Sequence, residues 1–256
     1  MRASDVVIGL VRPDLLGTYG DGGNAIVLRQ RLLRRGIPAT VVEIGPGSGT
    51  RTVDIYVLGG GEDSAQVALA DDKQLGAVLR DASTRGAPIL GVCAGFQVLG
   101  EHFTDGARRT HAGFGLLDCR TTRGSGTRAV GEILGVATGA TLGRLTGFEN
   151  HAGLTERAAS CLPLAHVERG VGNGDGTDGA VVGHTVGTYM HGPVLARNPA
   201  LADQLLSWVA GPLPPLAMPA VDRLRSERIS EALQAPGRRR GLRSLRRPRV
   251  EIVRDP

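Results

Sequence analysis

In the first hundred residues, short apolar runs alternate with stretches in which apolar positions recur every three or four residues. Val6-Val7-Ile8-Gly9-Leu10-Val11, Thr40-Val41-Val42-Glu43-Ile44, Asp54-Ile55-Tyr56-Val57-Leu58 and Ala87 to Val92 have the length and composition of buried strands. After the first run, Ala25, Leu28 and Leu32 fall at helical spacing with Ile26 and Leu33 beside them. Arg29, Arg31, Arg34 and Arg35 lie elsewhere, and Gly36 ends the pattern. The intervening Gly20-Asp21-Gly22-Gly23-Asn24 predicts a turn that caps this helix. Ser64 to Arg85 predicts one helix or two, and a further helix is expected from Ala94 to about His102. Strands alternating with helices at these distances predict a mostly parallel sheet covered on both faces.

From Gly113 to Val186 the pattern changes to short β-rich segments with many glycines, which predicts an antiparallel extension. Asn198 to Ala210 reads as the last helix of the compact part, and Gly211-Pro212-Leu213-Pro214-Pro215 closes it. The fold class is therefore α/β, with one domain over 1–215 and a tail over 216–256. In the tail, Pro219 to Gln234 predicts a helix, and from Ala235 the Arg, Gly and Pro content predicts disorder.

Composition narrows the function. A chain of 256 residues buries a core without covalent staples. The three cysteines, Cys93, Cys119 and Cys161, are odd in number, widely spaced and outside any CxxC pattern, so neither a disulfide framework nor a metal site is expected. No apolar run reaches the length of a membrane span, and the N-terminal run is too short for a signal peptide, so a cytoplasmic location is expected. From Ala220 to Pro256 there are 11 Arg against 5 acidic residues, so the net charge of +5 belongs to the tail and the body is close to neutral. Such a tail could be a solvated end, or be drawn weakly to the anionic inner face of a membrane. Scarce aromatics and the lack of a recognition motif exclude a nucleic-acid partner.

In a parallel sheet, sites form at the carboxyl ends of the strands. Two chemical features fall there. Gly59-Gly60-Gly61 ends the third run, and Gly91-Val92-Cys93-Ala94-Gly95 puts a thiol between the fourth strand and a helix. Small neighbours admit a substrate, and a helix N-terminus favours thiolate. The N–H of Ala94 and those of the glycine turn, at Gly60 or Gly61, are placed to form an oxyanion hole. The turn GGGEDSA lacks the Lys-Ser/Thr of a phosphate-binding loop, and Glu62 and Asp63 would repel phosphate. A cysteine nucleophile needs a base. His102, His166 and His184 read as structural. His151, in a polar turn, and His191, in Tyr189-Met190-His191-Gly192-Pro193, are both candidates, and position alone does not choose between them.

The elbow GVCAGFQVLG resembles that of class I glutamine amidotransferases. Paired with the distant Tyr189-Met190-His191-Gly192-Pro193, it is similar to their cobyric-acid-synthase-like branch. The usual class I enzyme has an acid two residues after the histidine; here that position is Pro193. Further segments resemble the GatD-type glutaminase subunit of lipid II isoglutaminyl synthase. They are Leu16-Gly17-Thr18-Tyr19-Gly20-Asp21-Gly22-Gly23-Asn24, Leu28-Arg29-Gln30-Arg31 and Gly147-Phe148-Glu149-Asn150-His151. The resemblance spans about residues 5 to 210 and leaves out the Arg-rich tail.

This resemblance implies a flavodoxin-like amidotransferase fold and an enzyme that hydrolyses L-glutamine through a thioester on Cys93, with His191 as acid and base. It implies that Arg128 binds the substrate carboxylate, and Gln97, one turn after Cys93, is a candidate for touching substrate. The ammonia would pass to a Mur-ligase-like, MurT-type partner in a heterodimer. That partner would use ATP and Mg to amidate the D-glutamate α-carboxyl of lipid II in peptidoglycan synthesis. No cofactor or metal is expected in this chain. The group orienting His191 is left open between Glu149, Asp21 and a carboxylate of the partner, with the partner favoured. Alternatives are an amidotransferase of cobalamin synthesis, a γ-glutamyl hydrolase or cysteine peptidase on a similar scaffold, and a scaffold subunit without activity.

Overall fold

The structure, a computed structural model, describes residues 5–47 and 52–234. The chain opens with β1 (Val6–Val11), α1 (Gly23–Leu33), β2 (Ala39–Ile44), β3 (Ile55–Leu58), α2 (Asp63–Ala70), α3 (Lys73–Thr84), β4 (Ile89–Val92) and α4 (Ala94–Leu99). Ten short strands follow: β5 (His102–Thr104), β6 (Thr110–Ala112), β7 (Cys119–Arg123), β8 (Ala129–Ala137), β9 (Arg144–His151), β10 (Gly153–Arg157), β11 (Ala165–Arg169), β12 (Thr177–Asp178), β13 (Ala180–Val182) and β14 (Thr185–Thr188). Three helices complete the described residues: α5 (Val194–Arg197), α6 (Pro199–Ala210) and α7 (Pro219–Gln234).

The central sheet has the order β13-β14-β4-β3-β1-β2, and all neighbours are parallel except the edge pair β13–β14. Without that edge strand it is the doubly wound flavodoxin-like order, in which ligands sit at the carboxyl ends beside the switch between β1 and β3. The three middle strands β3, β4 and β14 are buried at every position, which is why their sequences run apolar or small without alternation. The edge strand β2 exposes Thr40 and Glu43. The antiparallel extension forms two further sheets, β10-β7-β5-β6 and β12-β11-β8-β9. The second touches the central layer through a backbone bridge between Phe148 and His191, with N–H···O bonds of 3.1 and 2.8 Å.

One expectation is corrected and an open one is resolved. The helix after Cys93 stops at Leu99, and His102 instead opens β5 with an exposed side chain. Gly100 there has an extended backbone, and its N–H bonds back to Gln97. The stretch Ser64–Arg85 is two helices, because Asp72 turns its side chain onto the N–H of Leu75 at 2.9 Å and starts α3. In the tail, α7 is amphipathic only at its end: Ala232 is its sole buried residue, and Arg169 donates to the Ala232 carbonyl at 2.7 Å. The disorder expected from Ala235, and the eight tail arginines beyond it, lie outside the described residues; Arg223, Arg225 and Arg228 lie in α7. Among the described residues, no helix is long and apolar enough to cross a membrane.

Candidate active site

Cys93 is the residue at which β4 becomes α4. Its backbone has φ 51° and ψ −104°, a strained conformation for a residue with a side chain. Two glycines make the turn possible. A Cβ on Gly91 would stand 2.5 Å from Leu99 and 2.9 Å from the Gly95 carbonyl carbon. A Cβ on Gly95 would stand 2.9 Å from the Gly59 oxygen. The Gly95 N–H donates to that same Gly59 carbonyl at 3.1 Å, so the elbow is tied to the end of β3. The Cys93 N–H donates to Thr188 at 2.9 Å, which ties it to β14.

His191 arrives from the other side of β4. Strands β4 and β14 run in register with Val92 opposite Thr188, so the chain after each strand emerges at the same edge. The imidazole is buried, and its Nδ1 lies 2.8 Å from Asp21 Oδ2. Burial by itself would lower the His191 pKa. The hydrogen bonds and charges of Asp21 and Cys93 outweigh it and raise the pKa to about 10. The imidazole is thereby held as its cation beside the thiol. Its Nε2 has no hydrogen-bond partner among the described residues.

Asp21 is the third member. It is fully buried and accepts the Gly60 N–H at 3.0 Å through the same Oδ2, and its Oδ1 has no partner among the described residues. The segment that carries it lies against the segment that carries His191 at two more points. Asn24 accepts the Leu195 N–H at 2.9 Å, and Gly23 abuts Pro193 so closely that a Cβ there would fall 2.5 Å from the ring. Pro193, which stands where a local acid is usual, is therefore a docking surface for the turn that supplies the acid.

Of the three groups left open for this role, Asp21 is the one that stands at Nδ1 in this chain. Glu149 is excluded by its own bonds: it accepts the N–H groups of Val171 and Gly172 at 2.8 and 2.9 Å and lies 3.3 Å from His151. His151 lines the pocket beside Cys93, but its nitrogens face Glu149 and the Gly153 carbonyl, and its ring stacks on Tyr189 at 3.8 Å. The choice left open between His151 and His191 thus falls on His191. The turn expected to cap α1 does not do so with a side chain; Asp21 faces inward instead.

The pocket at Cys93 is lined by Gly61, Glu62, Asp63, Gln97, Arg123 and Arg128 among others. Gly60 is corrected as an oxyanion donor, because its N–H is committed to Asp21. The N–H groups of Gly61 and Ala94 have no acceptor among the described residues and both residues line the pocket. Gln97 is fixed by a buried chain of hydrogen bonds: Gln66 donates to its oxygen at 2.7 Å and it donates to Tyr189 at 3.0 Å. Its remaining N–H and lone pair are what it can offer a ligand. Arg128 is held by Asn150, with Nε 2.5 Å from the side-chain oxygen and Nη2 3.0 Å from the carbonyl. Sequence reasoning passed over Asn150 and Tyr19, whose ring packs 4.9 Å from that of His191. Among the described residues, no group of His, Cys, Asp and Glu is placed to hold a metal.

A thiol on a strained elbow, an imidazolium beside it and a buried carboxylate behind define an amidase-type nucleophilic site at the carboxyl edge of a flavodoxin-like sheet. The chain belongs to the CobB/CobQ-like glutamine amidotransferase domain family, whose profile it matches over residues 7–199. It is 37% identical over 198 residues to the GatD subunit of the glutamine-hydrolysing lipid II isoglutaminyl synthase of Staphylococcus aureus, covering 75% of this chain and 79% of that one. It is 33% identical over 178 residues to a probable cobyric acid synthase of Methanoculleus marisnigri, covering 65% of this chain but 34% of the other. In fold it is similar to PurLQS from Thermotoga maritima, with a TM-score of 0.58 at 15% identity, covering 81% of this chain and 98% of that one.

Proposed function

We propose that this glutamine amidotransferase is the glutaminase subunit of a two-chain enzyme that amidates lipid II. Cys93 thiolate attacks the side-chain carboxamide carbon of L-glutamine, and the N–H groups of Gly61 and Ala94 receive the oxyanion. The C–N bond breaks as the proton on His191 passes to the leaving nitrogen, which departs as ammonia. A γ-glutamyl thioester remains on Cys93. Neutral His191 then takes a proton from water, the hydroxide displaces sulfur, and glutamate leaves with the ion pair restored. Asp21 fixes the tautomer of His191 throughout. Arg128 clamps the α-carboxylate, and Gln97 lends its free N–H to the substrate.

The observation that carries the chemistry is the 2.8 Å contact between His191 and Asp21 behind Cys93. The likeness to the GatD subunit over most of both chains supports the acceptor. On this reading the ammonia reaches a MurT-type, Mur-ligase-like subunit, where ATP and Mg activate the α-carboxyl of D-glutamate in the stem peptide. A cytoplasmic complex at the inner membrane face suits a lipid-linked acceptor. The cobyric acid reading has less support, because the corresponding relative is about three times as long as the matched region. The test is to co-purify the chain with the Mur-ligase-like protein of its source and assay glutamine-dependent amidation of lipid II. Amidation with glutamine, lost on Cys93→Ser and restored by ammonium, is expected. Amidation of a corrinoid carboxylate instead would overturn the reading.

A further inference from the structure

We propose that Glu62 reads the α-ammonium group of the substrate, with Tyr19 as its support, so that the site accepts free zwitterionic glutamine and rejects amides lacking that charge. The inference rests on the glutaminase reading above and deepens it.

The wall of the Cys93 pocket carries two acids and two arginines: Glu62, Asp63, Arg123 and Arg128. Most of this charge is already matched within the protein. Asp63 accepts the Gly106 N–H at 2.8 Å and faces Arg123 at 3.6 Å. Arg128 uses Nε and Nη2 on Asn150 and keeps Nη1. Glu62 accepts one hydrogen bond, from the Tyr19 hydroxyl to Oε1 at 2.8 Å, and its Oε2 has no partner among the described residues. One uncommitted carboxylate oxygen and one uncommitted guanidinium edge therefore remain in a pocket whose floor is the nucleophile. A free α-amino acid presents their two complements, an ammonium and a carboxylate, on one carbon.

Position favours Glu62 for this task. It immediately follows Gly61, whose N–H is the oxyanion donor assigned above, so the loop that holds the reacting carbonyl also holds the reader of the distal charge. Tyr19 lies within electrostatic reach of Glu62, Arg128 and Cys93 together and packs on the His191 ring. Its bond to Oε1 turns Oε2 away from the tyrosine and restricts an otherwise exposed side chain. A peptide-bound glutamine has no α-ammonium, and glutaramate, the desamino analogue, lacks it while keeping the reacting amide and the carboxylate. Both would leave Oε2 of Glu62 without a partner in the bound complex.

The experiment compares ammonia release from L-glutamine and from glutaramate by the full chain, as wild type, Glu62→Gln, Tyr19→Phe and Cys93→Ser. Wild type is expected to favour glutamine in kcat/KM by roughly 10- to 10²-fold, the scale of one charge-assisted hydrogen bond. In Glu62→Gln that preference collapses towards unity, with the loss falling on KM for glutamine, and Tyr19→Phe gives an intermediate ratio. Turnover of glutaramate by Glu62→Gln and by Tyr19→Phe reports that those variants are folded. A wild-type preference retained in Glu62→Gln would overturn the proposal. Ammonia release that survives Cys93→Ser would instead overturn the glutaminase reading on which it rests.

Discussion

His191 is useful only if its Nδ1 is held, and the residue holding it is Asp21 from the turn after the first strand. Asp21→Asn preserves shape but removes the charge that favours the imidazolium, so kcat should fall by roughly 10²–10⁴. The same change should shift the pH profile. Asp21 helps raise the His191 pKa towards about 10 against the opposing effect of burial, so its loss lowers that pKa and moves the alkaline fall in activity to lower pH. The linked stability has a definite sign. A cation favoured in the folded state stabilises fully below its unfolded pKa of about 6.5, and the effect is lost as pH rises towards the folded value. The difference in melting temperature between wild type and Asp21→Asn, measured from pH 6 to pH 10, should therefore shrink with rising pH. Cys93 and His191 were legible in the sequence because the elbow and the downstream histidine lie in recognisable settings. Asp21 was named only as one of three candidates, because an aspartate among glycines before a helix has a local explanation as a cap, and its partner lies 170 positions away.

At the scale of elements, the site depends on three chain segments leaving one edge of the sheet close together. The glycines of the elbow enforce this. Gly95→Ala would place a methyl 2.8 Å from Leu58 and 2.9 Å from the Gly59 oxygen, which neither backbone can yield. A loss of about 1–3 kcal/mol is expected in chemical denaturation, together with loss of Cys93 reactivity, because α4 can move only by lifting the elbow. Strands were the most legible elements, since β1 and β3 are largely buried apolar runs and β2 keeps a β-branched apolar stretch at the sheet edge. The end of α4 was misjudged because His102 continues a plausible helix; the carbonyl of Cys119 captures the Glu101 N–H at 2.8 Å and draws the chain into a strand. The pairing of the short strands after Gly113 was illegible, since bonds such as β8 to β9 and β7 to β10 are chosen by tertiary packing.

At the scale of the whole molecule, the proposed reaction divides between one chain and a complex. On the proposed reading, glutamine hydrolysis uses Cys93, His191 and Asp21, all in this chain, and use of the ammonia belongs to the ligase partner. Mixing the two subunits should give glutamine-dependent amidation, and Asp21→Asn should abolish it with glutamine while leaving it intact with added ammonium. The most direct measurement is the rate at which 6-diazo-5-oxo-L-norleucine labels the purified chain without any partner, read by intact mass. The account predicts one adduct per chain on Cys93, slowed by at least roughly 10² in Asp21→Asn. Labelling that appears only when the partner is added, or that proceeds equally in Asp21→Asn, would contradict it.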